Sequence, residues 1–228
     1  GVQTCALPIY YLTRLQSLGI STEFVRTIES EYTAQAMIMT DRDNNQITAF
    51  HPGAMAQAHR TAVQARSDIR LGIISPDGRD AMQQHAEQMH AAGIPFVFDP
   101  GQGLPMFDGP TLAHLIGLSS WVTVNDYEGK MLCERTAWSE ADLSRRVRGL
   151  IVTLGAQGCD IWVDGQKTHV PAVPATQVVD PTGCGDAWRG ALLYGLEQGW
   201  DLVRCAELGN RIGALKIAQR GPQNYQLT

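Results

Sequence analysis

Several familiar signatures are missing from this chain. No Cys-x-x-Cys pair joins any of its five cysteines, Cys5, Cys133, Cys159, Cys184 and Cys205. Neither a zinc ribbon nor a paired-thiol redox site is indicated, and reduced thiols in a cytoplasmic protein are the simplest expectation. No apolar run approaches the roughly 20 residues of a membrane span. Basic excess is absent too: 18 Lys and Arg against 23 Asp and Glu leave a net charge of −5, which gives nucleic acid no footprint. Two nucleotide-binding loops are also lacking. There is no Gly-x-x-x-x-Gly-Lys-Ser/Thr, and no Gly-x-Gly-x-x-Gly follows the first strand; Trp188 occupies the third glycine's place in the best near-match. These absences argue against a P-loop kinase and a dinucleotide oxidoreductase. What remains is a chain 44% hydrophobic and 18% charged, with 228 residues. That composition opposes disorder and is long enough for one core domain with an appendage.

The most informative stretch is Val179-Asp180-Pro181-Thr182-Gly183-Cys184-Gly185-Asp186-Ala187-Trp188-Arg189-Gly190. An apolar segment stops at Asp-Pro, a turn of small residues follows, and a helix begins that carries Ala187, Ala191, Leu192 and Leu196. Gly183 and Gly185 allow a tight turn and close approach of a ligand. The free N–H groups of a helix start make an anion site. Asp186 beside such a site is out of place for anion binding alone. It suits phosphoryl transfer, in which the loop holds phosphate oxygens and the acid takes the proton of the attacking hydroxyl. The alternative is a helix start with an acidic cap.

This segment resembles the Asp-Thr-x-Gly-Ala-Gly-Asp signature of the PfkB (ribokinase-like) family of sugar and nucleoside kinases. It departs from that pattern by the insertion of Pro181 and by Cys184 in the place of alanine. Three further stretches match in the same order. Asn125-Asp126-Tyr127-Glu128 resembles the family's Asn-x-x-Glu motif, Ile151 to Gly158 its strand and glycine turn beside the nucleotide, and Gly209 to Ala214 with Gly221 to Tyr225 its last helix and following turn. The resemblance implies ATP as phosphoryl donor, Mg²⁺ placed near Asn125 and Glu128 largely through water, and in some members a monovalent cation such as K⁺ held by backbone oxygens. It further implies Asp186 as base, the N–H groups of Gly183, Cys184 and Gly185 as anion hole, and Thr153, Gly155, Gly158, Thr182 and Asn210 along the nucleotide. The Asp-Pro-Thr-Gly-Cys-Gly-Asp variant, with Ile47 to Gly53, is most similar to the bacterial adenosine and nucleoside kinase branch. A purine ribonucleoside is then the first expectation for the acceptor, with ribose or a fructose derivative the alternative. A non-catalytic nucleotide-binding protein on the same fold is the competing class.

The order of apolar segments supports an α/β fold, ribokinase-like, with a mostly parallel sheet flanked by helices on both faces. Strands are expected at Ile69 to Ile74, Ile94 to Phe98, Trp121 to Val124 and Leu150 to Leu154, and a helix around Ala81, Met82, His85, Ala86 and Met89. Asp99, Asn125, Gly155 and Asp186 fall at strand ends or a helix start, where such sheets place their ligands. Glu23 to Ile28, Thr33 to Thr40 and Gln46 to Phe50 read as extended pieces, the last two joined by the polar turn Asp41 to Asn45. In the family such a region is a small β-sheet lid, often shared in a homodimer. The expected division is 10–20 as a core helix, 21–56 as the lid region and 57–228 as the nucleotide-binding and catalytic core.

Residues 1–9 resemble a translated sequencing adapter, no Met stands at position 1, and family-like sequence starts at Tyr10. A signal peptide would need a basic start and a longer apolar stretch. The reading is of a fragment lacking about a quarter of the family's length, including the first strand and part of the acceptor pocket. Three other residues keep two readings each. His51 contacts the acceptor or is plain surface; Asp99 reaches the cleft or caps the next turn; Arg189 approaches phosphate or lies on the surface. His85 and His90 are five apart on a predicted helix, so their side chains diverge, which opposes a shared metal. The helix bearing Leu202, Cys205, Leu208, Ile212 and Leu215 is expected to be mostly core.

Overall fold

A computed structural model describes residues 6–40 and 46–226. The chain divides into two compact units, Gly1–Val63 with Asp77–His85, and Gln64–Pro76 with Ala86–Thr228.

In the first unit, helix α1 (Ala6–Ser17) precedes an antiparallel ribbon of β1 (Gln35–Thr40) and β2 (Gln46–His51). Opposite residues of the ribbon share a face, so Met37, Met39, Ile47, Ala49 and His51 line one side. Met37, Met39 and Ile47 are exposed there. The turn expected at 41–45 lies outside the described residues. Two expectations fail in this unit. Residues 23–28 form no strand, because turns closed by Val25 N–H to the Thr22 carbonyl and Glu31 N–H to the Ile28 carbonyl interrupt the extended run at either end. The expected core helix is exposed at Tyr10 and Tyr11.

The second unit is built on a six-stranded sheet in chain order: β3 (Gly72–Ile74), β4 (Phe96–Phe98), β5 (Trp121–Asn125), β6 (Gly149–Thr153), β7 (Cys159–Val163) and β8 (Gln166–Val170). The first four strands are parallel and the last two are antiparallel hairpin additions. Parallel neighbours need a crossover. Those here are α2 (Arg79–Ala91), α3 (Gly109–Leu118), and α4 (Asp126–Thr136) with α5 (Glu140–Ser144). β7 and β8 are joined by Asp164-Gly165, both at positive φ, the two-residue turn whose twist suits a hairpin.

Alternation along the strands sorts the core into two layers. Val97, Ile151, Cys159 and Ile161 pack against α6 (Cys184–Glu197) and α7 (Leu202–Ile217) through Trp188, Leu192, Leu202, Cys205 and Ala206. On the other face, Val124 and Val152 lie close to Gly129 of α4. Helices α6 and α7 approach closely because glycine permits it: a Cβ on Gly209 would sit 2.5 Å from the Trp188 indole, and one on Gly195 2.5 Å from Cys205 Sγ. The buried face of α7 is Leu202, Cys205, Ala206, Gly209, Asn210 and Lys216, whereas Leu215 is exposed. A helix on one side of a sheet buries a stripe rather than its whole circumference.

Candidate active site

The carboxyl ends of the parallel strands and the amino end of α6 bring the singled-out polar residues of the second unit together. Asp99 follows β4, its N–H continuing the ladder to the Ile74 carbonyl at 2.8 Å. The residue is 2% exposed. Arg189, one turn into α6, donates from Nη2 to Asp99 Oδ1 at 2.8 Å, and its Nε faces Oδ2 as an ion-pair contact rather than an aligned hydrogen bond. Ser75, just after β3, donates to the same carboxylate at 3.3 Å. Burial pushes the Asp99 carboxyl up from the ordinary range, while the hydrogen bond and charge of Arg189 and the Ser75 hydroxyl pull it back. Asp99 therefore does not cap the next turn, and Arg189 is not a plain surface residue. The two hold each other, and a Cβ on Gly185 would lie 2.7 Å from Arg189 Nη1.

At the end of β5, Asn125 and Glu128 form a reciprocal helix cap. Asn125 Oδ1 accepts from the Glu128 N–H at 2.7 Å, and Glu128 Oε2 accepts from the Asn125 N–H at 2.8 Å. Burial raises the Glu128 carboxyl, the bond from Asn125 and the charge of Arg189 lower it, and the charge of Asp99 raises it again. Glu128 thus shares one electrostatic neighbourhood with Arg189 and Asp99. Among the described residues no cluster of three or more His, Cys, Asp or Glu fits a metal ion. The residues present do fit Mg²⁺ of the kind that keeps its water and binds mainly to phosphate, since Glu128 retains its second carboxylate oxygen beside the cap.

The loop before α6 is fixed by Asp180. Its Oδ1 accepts from the Thr182 N–H at 2.9 Å and its Oδ2 from the Gly221 N–H at 2.8 Å. Those bonds, with the Thr182 hydroxyl, bring the Asp180 carboxyl down to about 2. Gly183 caps the helix at φ +81°, where a Cβ would also meet Pro222 Cβ at 2.7 Å. The loop's donors differ from the expected set. The Cys184 N–H is taken by the Pro181 carbonyl at 3.1 Å, because the inserted proline closes a turn there. That of Gly183 has no backbone acceptor among the described residues, and those of Gly185 and Asp186 lie in the first turn of α6, which leaves its N–H groups without intrahelical partners. Asp186 is exposed in the same first turn of α6, next in sequence to Gly185.

Other expected nucleotide residues are divided in position. Thr153 ends β6, its hydroxyl 3.4 Å from the Val124 carbonyl, and Gly155 opens an exposed turn. Gly158 is buried at φ +96°, where a Cβ would lie 2.1 Å from the Val170 carbonyl oxygen, so its requirement is the hairpin. Asn210 is a core residue. It accepts from Trp188 Nε1 at 3.0 Å and donates to the Pro171 carbonyl at 2.9 Å, which leaves its amide little capacity for a base. Thr182 is exposed and hydrogen-bonded to Asp180. His51 ends β2 in the first unit and is exposed. His85 and His90 each meet a backbone carbonyl, of Thr61 at 2.6 Å and Leu118 at 3.1 Å. Sequence reasoning missed Ser75 and Lys216; a serine after a three-residue strand and a lysine late in a helix carry no distinguishing spacing.

Comparison with known proteins joins this geometry to a family. The model of the pfkB family carbohydrate kinases matches residues 9–228. The nucleoside kinase of Burkholderia thailandensis, solved with inosine, is 53% identical and superposes with a TM-score of 0.91, over 95% of this chain and 71% of that one. The nucleoside kinase of Methanocaldococcus jannaschii is 30% identical over 213 residues, 93% of this chain and 70% of its own length. The adenosine kinase of Sinorhizobium meliloti shares the fold, with a TM-score of 0.79 at 23% identity over 95% of this chain and 70% of that one. The chain belongs to the pfkB carbohydrate kinase family, in its nucleoside kinase branch.

Proposed function

We propose that this protein transfers the γ-phosphoryl group of ATP to the 5′-hydroxyl of a purine ribonucleoside, with Asp186 as general base. The observation that carries the reading is the amino end of α6, where the N–H groups of Gly183, Gly185 and Asp186 share the helix start with the Asp186 carboxylate. An acid in the first turn of a helix is favoured by the dipole, but beside an anion site it repels the ligand, and handling a proton gives it a reason to stand there. The 53% identical Burkholderia protein, solved with inosine, supports a purine nucleoside as the acceptor class.

In this reading the acceptor hydroxyl lies against Asp186 and the γ-phosphoryl oxygens against the loop. As the acceptor oxygen bonds to phosphorus, its proton passes to the Asp186 carboxylate, and the bond from phosphorus to the bridging oxygen breaks to release ADP. The loop N–H groups stabilise the charge spread over the transferring oxygens, and they are fixed before reaction begins. Mg²⁺, when bound, neutralises phosphate charge, and Glu128 is the residue that would hold it, through water. Asn125 acts by positioning Glu128. Arg189, aimed by Asp99, carries positive charge beside Gly185 and orients phosphate. Thr153 and Gly155 border the nucleotide channel.

The test is an acceptor panel in a coupled ADP-release assay. Inosine and adenosine are expected to give turnover at least tenfold above ribose at equal concentration. Ribose as the preferred acceptor would move the assignment to the sugar kinases. ATP binding with no acceptor-dependent turnover would leave a nucleotide-binding protein.

A further inference from the structure

Lys216 is fully buried, at 0% exposure, and no other lysine among the described residues is buried. Burying an ammonium costs several kcal/mol unless partners replace its water, and the usual partner is a carboxylate. None forms an ion pair with Lys216 among the described residues. Its Nζ donates instead to two backbone carbonyls, of Asp180 at 2.7 Å and Gln219 at 3.2 Å. It also lies in the last turn of α7, where the helix dipole favours a cation.

The surroundings show what this ammonium organises. The Ile217 carbonyl accepts from the N–H groups of Val179 and Asp180, at 2.8 and 3.1 Å, and the Ala218 carbonyl from Gln177 Nε2 at 3.1 Å. Asp180 in turn sets the anion loop through Thr182 and Gly221. The charge of Lys216 reaches both Asp180 and Cys184. Carbonyl oxygens facing one buried positive charge are the donor set that also holds a desolvated potassium ion. Here the two that face it, of Asp180 and Gln219, accept from Lys216 itself, and the neighbouring Ile217 and Ala218 carbonyls accept from other protein donors. This turn therefore does not fit a free monovalent cation.

We propose that Lys216 is a tethered monovalent cation, a positioning residue that holds the base of the phosphate loop and makes the loop independent of potassium. The inference rests on the loop's role in phosphoryl transfer, but its first test does not require activity. Thermal unfolding of the full chain is measured in potassium, sodium and choline chloride at one ionic strength. The wild type is expected to unfold at the same temperature in all three. Lys216→Ala opens a site of ionic size and is expected to unfold earlier in choline, then recover by about 5 °C in potassium alone. Lys216→Met fills that space and is expected to unfold earlier in every salt. A potassium-specific rise in the wild type would overturn the proposal, with no need for a folded variant. So would a Lys216→Ala protein equally weakened, or equally stable, in the three salts.

Turnover with inosine supplies a second readout. Potassium is expected to leave the wild-type rate unchanged and to raise that of Lys216→Ala at least tenfold, with little change in KM for ATP. Absence of wild-type turnover with every nucleoside would sink the kinase reading and leave the unfolding result to stand or fall separately.

Discussion

At the scale of single residues, Asp99 and Arg189 carry the clearest energetic consequence. Their side chains are 3% and 16% exposed and form an ion pair. Removing one partner of such a pair leaves a buried charge and costs about 3–5 kcal/mol. Arg189→Met is therefore expected to lower the urea midpoint strongly at neutral pH. The Asp99 carboxyl is already raised by burial, and loss of the guanidinium raises it further. A raised folded-state pKa gives stability that is present below the ordinary carboxylate range and is lost as pH rises through the folded value. The penalty of Arg189→Met is thus expected to shrink towards pH 4, where Asp99 takes up a proton. A penalty constant from pH 4 to pH 7 would contradict this account of the pair. Sequence showed Asp99 after a strand and Arg189 after a helix start, but not that they meet. That contact spans 90 positions in the chain, and no local pattern encodes it.

At the scale of elements, the loop and helix α6 were legible because their requirements are local. Gly183 sits at φ +81° with Pro222 against its α-carbon, so the position excludes a side chain twice over. Gly183→Ala is expected to cost about 2 kcal/mol, from the left-handed conformation and the displacement of Pro222. It should also lower kcat more than tenfold as the loop donors turn away; a variant with wild-type turnover would separate the loop from catalysis. Other features were less readable. The Asn125 and Glu128 spacing served equally well as a metal motif and as a helix cap, and the structure shows the cap formed. Pro181 stands out in the sequence only as an insertion in the family pattern, whereas in the structure its carbonyl captures the Cys184 N–H. Asn210, expected along the nucleotide, has its amide consumed by Trp188 and the chain at Pro171. A side chain's direction on a helix depends on the partner helix, which periodicity alone does not supply.

At the scale of the whole molecule, the parallel sheet was legible from alternating apolar segments, although β3 and β4 have three residues each and start later than the apolar runs suggest. The hairpin of β7 and β8 is marked in the sequence by Asp164-Gly165, a two-residue turn pair. The chain spans about 70% of the length of the relatives compared with it, and family similarity covers nearly all of what is present. The central claim is that Asp186 removes the acceptor proton at a loop that binds phosphate independently of it. The most direct measurement is turnover and ADP binding for Asp186→Asn, with inosine as acceptor and calorimetry for the nucleotide. General-base removal is expected to lower turnover by about 10²–10⁴-fold, with ADP affinity retained. Turnover close to the wild type would remove Asp186 from the chemistry, and loss of ADP binding would make it a structural part of the loop instead.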